Sequence, residues 1–474
     1  MTPQNATVLF AFGIMGLFLL ARDGKARTSK ALWIPVVWLW IAASRPVSGW
    51  LSGSGGVSAD ASLGTADQLL DGSPLDRFFF TGLIAIGVIV LFMRSRRVGG
   101  LLRANVPILL FFLYCGVSTL WSDYTDVSFK RWIKALGDLV MVLIVLSDSD
   151  PLAAVKRLLA RLAFLLIPAS VLLIKYYPDL GRMYSPFTGE AASTGVTTNK
   201  NQLGYVCLLL GLGCAWRVLE AVRDRQGTRR SRSGLLIAHG TVLAMAIWLF
   251  WMANSMTSFA CFLMAVTLLV AAHVRAFARR VWLVHLQVAA ILIISFSALF
   301  LNVGSGLVQS MGRDPSLTGR TDIWKLVLGM VRNPLFGTGF NSFWLGKRLE
   351  KVWSVYWWHP MQAHDGYIDL YLNLGVVGLT LLAVILVAGY RNIVAAYRRD
   401  SHLNSLRLAY LVVFVAYNFT ESALMMSPVW IFLLLSTTAV PGGWGRTQPR
   451  KAVTLPPLSP PVVPCLEEIR VMSK

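Results

Sequence analysis

Charge is scarce in this 474-residue chain. Only 14% of its residues are Asp, Glu, Lys or Arg while 55% are hydrophobic, and a soluble globular domain carries about a quarter charged residues. Acidic residues are scarcer still, 23 against 44 basic ones, which leaves a formal charge of +21. Cysteine is thin too. The five cysteines (Cys115, Cys207, Cys214, Cys261 and Cys465) show no closely spaced ligand pattern, which argues against a disulfide framework and a zinc site. The outer loops assigned below contain no Asp-x-Asp pair that would favour a divalent ion. What the chain has in quantity is apolar sequence, with a mean hydropathy of +0.60, and this composition reads as an all-α polytopic integral membrane protein.

Apolar stretches of roughly 17–25 residues are what a helix needs to cross the hydrocarbon core. Candidates fall near residues 6–20, 31–43, 78–93, 106–121, 132–146, 158–174, 202–218, 235–253, 259–272, 281–301, 368–389, 408–416 and 425–440. The second and fifth are short. The reading is therefore about thirteen transmembrane helices, twelve or thirteen at the limit. It divides the chain into N-terminal helices (1–120), central helices with basic outer ends (121–256), a region holding one large loop (257–379, loop 303–363), C-terminal helices (380–440) and a Pro-rich tail (441–474) expected to be a disordered cytoplasmic end.

Lys and Arg gather on the cytoplasmic side of short membrane loops. Alternate connections hold 29 of the 44 basic residues and 8 of the 23 acidic ones, so one face carries the whole excess of +21 and the other is neutral. Taking the basic face as cytoplasmic puts the N-terminus in the periplasm, the C-terminus inside and loop 303–363 outside. That loop is itself basic, with seven Lys or Arg against three Asp or Glu, but loops of this length translocate largely regardless of charge. The first apolar segment has no basic residue before it and Arg22, Lys25 and Arg27 after it, so no cleavable signal peptide is expected. The basicity reads as a topology and anionic-lipid signal, and no nucleic-acid partner is expected.

Between Asn302 and His364 the hydrophobic runs give way to polar, aromatic and basic sequence, the one stretch roomy enough for a site. It holds Arg313, then LTGRTDIW (317–324), whose Arg320 stands at the start of an expected amphipathic helix with Ile323, Trp324, Leu326, Val327 and Met330 on the membrane surface. A guanidinium beside free helix N–H groups suits an anion; pairing with Asp322 or a lipid headgroup is the bland alternative. Asn333-Pro334 is expected to end the helix and GTGF to form a tight turn. His364 stands where the loop re-enters the membrane, ahead of Asp365, Asp369 and Asn373 on one helix face. Such a His can take a proton from a hydroxyl with a carboxylate to orient it, or it can be interfacial with Asp365 merely serving the helix's first turn. Further outer-face candidates are Lys130 and Lys134 above Asp138 on one helix, Lys175, Arg182, and Lys200 and Asn201 in the turn-like TTNKNQLG. Trp344, Trp353, Trp357 and Trp358 read as an interfacial belt or as platforms for sugar rings.

In this order WSDYTDVSFKRW (121–132), TTNKNQLG (197–204), LTGRTDIW, PLFGTGFNSFW (334–344) and AHDGYIDLYLNLGVVGL (363–379) resemble the bacterial O-antigen ligase and exopolysaccharide polymerase family, most of all its exopolysaccharide polymerase branch. The specific part runs from about residue 257 to 379. The resemblance implies an inner-membrane glycosyltransferase of the GT-C type that acts at the periplasmic face. It moves a glycan from a polyprenyl-pyrophosphate-linked oligosaccharide donor to a glycan or lipid-linked acceptor, with inversion and with no cofactor or metal. It further implies that His364 activates the acceptor hydroxyl and that Arg320 lies near the pyrophosphate, with Arg182 a looser positional match. Asp365 stands where many relatives have Asn, which makes a carboxylate-assisted base an expectation for this chain. Membrane lipid and other polysaccharide-assembly proteins are the further partners implied.

The chemistry suits the residues. Charge develops on a departing pyrophosphate, so fixed cations belong at the leaving group and a base at the acceptor. The competing class is a transporter or flippase for a lipid-linked sugar, against which stands the lack of an internal repeat or a matched pair of Gly/Pro-broken spans.

Overall fold

The protein is described by a computed structural model covering residues 1–22, 28–52, 72–184, 191–223, 228–272, 280–300 and 318–444, with residues 189, 274 and 277. Arg313 and the Pro-rich tail from residue 445 on, including Cys465, lie outside the described residues. Four helices begin where the sequence supplies a cap followed by proline, a pair that satisfies one free N–H and avoids wasting another. Thus α1 (Pro3–Leu20) starts after Thr2, α2 runs Trp33–Ala42, and α3 (Pro74–Met93) starts after Ser73, whose hydroxyl accepts from the Asp76 N–H. Next, α4 (Ser95–Ala104) and α5 (Val106–Val117) meet at Asn105 with a bend of 88°. The Asn105 side chain closes that break, donating to the carbonyls of Leu101 and Ala439 and accepting from the Ala439 N–H at 2.7 Å.

The centre of the molecule follows in α6 (Thr125–Leu146), α7 (Pro151–Tyr176), α8 (Lys200–Arg223), α9 (Arg229–Ala253), α10 (Met256–Ala271) and α11 (Val281–Phe300). A two-stranded antiparallel ribbon, β1 (Arg182–Tyr184) with β2 (Ala191–Ser193), lies between α7 and α8. Helix α8 packs on α7, α9 and α10. The loop region supplies α12 (Thr318–Leu328) and α13 (Gly346–Val355), and the chain closes with α14 (Gly366–Tyr397), α15 (Ser401–Tyr417) and α16 (Pro428–Thr437). One large apolar core joins most of these helices and is densest along α7, α8, α15 and α16.

Among the described residues α1, α3, α7, α8, α9 and α14 are long and apolar enough to cross a membrane, and α4 with α5 passes as one bent pair. The architecture is that of an all-α multi-pass membrane protein with six or seven such spans on length and composition, fewer than the sequence expectation of about thirteen. The physical reason is local. Four apolar helices (Lys30–Ala42, Met256–Ala271, Val281–Ser297 and Pro428–Thr437) are too short, and α6 carries Lys130, Arg131, Lys134 and Asp138 within one stretch.

The break in α14 positions the loop. Gly375 has φ +63°, and a Cβ there would stand 2.3 Å from the Leu335 carbonyl oxygen, so a side chain at this point is both strained and obstructed. A break inside a lipid-facing helix would orphan backbone groups at a cost of several kcal/mol each. Here they are paired: Thr338 N–H and Gly339 N–H donate to Leu372 O and Asn373 O, Tyr114 Oη donates to Leu374 O at 2.8 Å, and the N–H groups of Val376 and Val377 donate to Pro334 O and Leu335 O. The PLFGTGF stretch is thus stitched into α14, the helix it precedes in the chain.

Candidate functional site

Helix α12 presents Ile323 and Val327, both fully buried, to Phe343, Val352 and Leu372. Its apolar face therefore closes a small core of the loop's own, where the sequence reading expected the membrane surface, and α12 ends at Leu328, ahead of Asn333-Pro334. The same loop is clamped by the polar stripe of α14. Asp369 accepts from the Ala363 N–H at 3.1 Å and from Trp344 Nε1 at 2.7 Å, while Asn373 Oδ1 accepts from the N–H groups of Ser342 and Phe343. The loop tryptophans are tied in as well: Trp344 to Asp369, Trp353 Nε1 to Pro360 O with its ring stacked on His359, and Trp324 Nε1 to Ala363 O at 2.8 Å. Trp358 has its ring centroid 6.0 Å from that of His364.

His364 itself adopts φ +53°, a left-handed conformation rare for a non-glycine residue. It is held there because the next residue caps α14. Asp365 Oδ1 accepts from the N–H groups of Tyr367 and Ile368 at 2.9 Å, and the Gly366 N–H donates to Asn418 O at 2.8 Å. Gly366 allows that approach, since a Cβ would lie 2.2 Å from Asn418 Oδ1. Burial raises the Asp365 carboxyl above its ordinary pKa, opposed by the two capping N–H groups and the nearby Arg320 charge.

The carboxylate beside the His364 ring is Glu421. Its Oε2 lies 3.5 Å from His364 Nδ1, and its Oε1 lies 3.8 Å from Arg320 Nη2 and accepts from Asn201 Nδ2 at 3.2 Å. Arg320 also donates through Nη1 to Thr420 O at 2.7 Å, and Gln362 Nε2 stands 3.3 Å from His364 Nδ1. The polar contacts of the His364 ring among the described residues are made through Nδ1, and Nε2 makes none of them. Four separate pieces of chain meet here: α12, the re-entry at His364, the start of α8, and the turn between α15 and α16. Glu421 is the residue that reading the sequence missed. Its signal was faint, a single acid in FTESALMM between two apolar runs, a place where ionisable groups usually have a purpose.

The remaining sequence candidates fall elsewhere. Lys200 is exposed at the first residue of α8. Arg182 pairs with Ser193 in the ribbon, and its buried Nε lacks a hydrogen-bond partner among the described residues. Lys130 and Lys134 line a cavity of about 300 Å³ between α3 and α6 with Asp76, Arg77 and Phe80, where the Lys134 ammonium sits 4.4 Å from the Phe80 ring centre. Asp365 is engaged in the helix cap. A second arginine unforeseen from sequence, Arg45, is almost wholly buried and donates to the carbonyls of Thr197, Leu180 and Gly195, bracing the turn that carries Lys200 and Asn201. Among the described residues no group of three or more His, Cys, Asp or Glu side chains is arranged to hold a metal.

The comparison with known proteins falls on the same elements. The sequence model of the O-antigen ligase family matches residues 240–383, which run from α9 through the loop and the broken half of α14. The "Exopolysaccharide production protein ExoQ" of Rhizobium meliloti (strain 1021) is 24% identical over 308 residues, covering 62% of this chain and 66% of that protein. The "Putative polysaccharide ligase" of Rickettsia felis is 24% identical over 280 residues, 53% of this chain and 64% of that protein. The aligned region thus spans just under two thirds of each relative. Residues 240–383 are thus similar to the O-antigen ligase family, within a helical multi-pass membrane protein.

Proposed function

We propose that this protein is a membrane glycosyltransferase that polymerises or transfers polyprenyl-pyrophosphate-linked glycan at the periplasmic face during exopolysaccharide or O-antigen synthesis. The observation that carries this reading is the placing of a base and a cation on the two oxygens of one buried carboxylate, His364 on Oε2 and Arg320 on Oε1 of Glu421. An acceptor hydroxyl attacks the anomeric carbon of the donor sugar from the face opposite the pyrophosphate. Its proton passes to His364 Nε2, the new C–O bond forms with inversion, and the bond to the pyrophosphate breaks with the electron pair leaving on oxygen. Glu421 holds Nδ1 and stabilises the imidazolium, as an orienting carboxylate does for other histidine bases. Arg320, a third exposed at its side chain, offers the leaving pyrophosphate a fixed positive charge, and Arg182 with the Lys130/Lys134 cavity supplies further cations along the outer face. The relatives, described by name as an exopolysaccharide production protein and a polysaccharide ligase, support the substrate class.

The test is transfer by the purified full-length chain in lipid with lipid-linked oligosaccharide. Asparagine tolerates the left-handed backbone that His364 occupies, so His364→Asn removes the base without disturbing the turn. A fall of about 10³-fold in transfer rate is expected, within the range of general-base contributions, with melting temperature unchanged. Full activity in that variant overturns the assignment, and passage of the lipid-linked glycan across the bilayer without a new glycosidic bond would replace it with a flippase.

A further inference from the structure

A second cavity adjoins the PLFGTGF stretch. It measures about 410 Å³ and opens between the outer end of α5 and the Asn333–Thr338 turn, within the range of small-ligand pockets. Two aromatic rings form one wall: Trp121, 37% exposed, and Phe336, 40% exposed, with centroids 5.8 Å apart and planes inclined by 61°. Asp123, Arg332, Asn333 and Arg348 also line the cavity. Arg348 is fixed by donation to Phe343 O and Ser342 O and is paired with Asp123. Asn333 spends its side-chain oxygen on the N–H groups of Leu335 and Phe336, which turns the amide N–H groups to account as donors. Arg332 is exposed.

We infer that this cavity is a saccharide subsite, holding a sugar of the acceptor or growing glycan while the reacting end lies at His364. An apolar pyranose face stacks on an aromatic ring, and the hydroxyls at its edge need both donors and acceptors; this wall offers the rings, an amide, two guanidiniums and a carboxylate. A lipid tail would offer no acceptor to the Asn333 amide or the Arg332 guanidinium, and would desolvate the Arg348–Asp123 pair without compensating it. Position fits as well. The turn is hydrogen-bonded to α14 at Leu372 and Asn373, about 10 Å along the helix from Gly366 at 1.5 Å per residue, so a short oligosaccharide reaches from one site to the other. The identity of the ligand rests on the reading of the His364 site given above; the cavity and its lining do not.

Binding without turnover tests it. The full-length protein in nanodiscs is titrated with water-soluble oligosaccharides released by partial acid hydrolysis from the producing strain's own exopolysaccharide, free of lipid, followed by thermophoresis. Saturable binding is expected for the native chain, with Trp121→Leu weakening it by about 10-fold, as truncation of a central aromatic anchor does. Arg332→Gln, an exposed change without a folding role, weakens it by roughly 3-fold, and keeps the test valid if Trp121→Leu does not fold. Trp251→Leu, at a 77% exposed tryptophan on α9, leaves it unchanged. Absence of saturable binding, equal weakening by Trp121→Leu and Trp251→Leu, or displacement of the sugar by phospholipid headgroup would each overturn the subsite. No donor is present, so this outcome is separable from that of the His364 variant.

Discussion

Two carboxylates, one near each face of the protein, accept cations in different ways. Glu220, at the basic end of α8, has its two oxygens closed by Lys156 and Arg217 in tight ion pairs, and Lys156 also lies over the Trp216 ring. Glu421 is less exposed, 11% at its side chain against 26%, yet its partners stand at 3.2–3.8 Å. A carboxylate saturated by two cations is an anchor that locks helices together. A more deeply buried one, shared loosely between a guanidinium and an imidazole, leaves charge available, which under the function proposed above would serve a proton and an anion that arrive later.

The sharpest way to break that comparison is Glu421→Gln. This change keeps shape and the contact from Asn201 while removing the charge that stabilises a protonated His364. Transfer should fall by roughly 10²-fold, inside the range of acid–base contributions, with little effect on the thermal midpoint; an undiminished rate would reduce Glu421 to a structural residue. Gly375→Ala comes next and acts on stability. With φ +63° and the Leu335 oxygen in its way, it should cost about 1–3 kcal/mol, read as a lower melting temperature in detergent with the loop more open to protease. An unchanged midpoint would mean that the break in α14 needs no glycine.

Glu220→Gln is the counterpart at the other end of α8. It should lower stability by about 1 kcal/mol or less, since the pair is partly exposed, and leave transfer within about 2-fold. A loss of activity equal to that of Glu421→Gln would erase the distinction between the two sites. Smallest of all is Asp365→Asn. Asparagine caps a helix as well as aspartate does, and burial raises the Asp365 carboxyl in the folded state, so ionising it costs stability as pH rises from the ordinary carboxylate range. The variant should therefore melt slightly higher at neutral pH, and the gain should vanish at acid pH, where the aspartate is protonated folded and unfolded alike. A clear destabilisation at neutral pH would show that its negative charge is needed beside Arg320.

Composition alone was enough to determine the class, because only a chain bound for lipid carries so little charge and so much apolar sequence. Apolar run length was local enough to place α7, α8, α9 and α14, and the motifs pointed to Arg320 and His364 as candidates, with Asn201 one of several others. The polar stripe Asp365–Asp369–Asn373 was also legible as one face of a helix. Its use was not, since Asp365 caps the helix while Asp369 and Asn373 clamp the loop. Nor did hydropathy say which helices form the interior: α3 is the more apolar of the pair yet faces outward along most of its length, whereas α8, with its glycines and cysteines, is largely buried. In lipid there is no hydrophobic drive to sort helices, and close packing of small residues decides instead.

Tertiary structure alone supplied Glu421, Arg45 and the Trp121 cavity. The residues Glu421 joins are 57, 101 and 220 positions away in the chain, and no local pattern encodes a contact between segments that meet only once the helices have packed. The paired break at Gly375 is of the same kind, since a glycine in a helix states that a side chain is missing but not which strand of chain will fill the space.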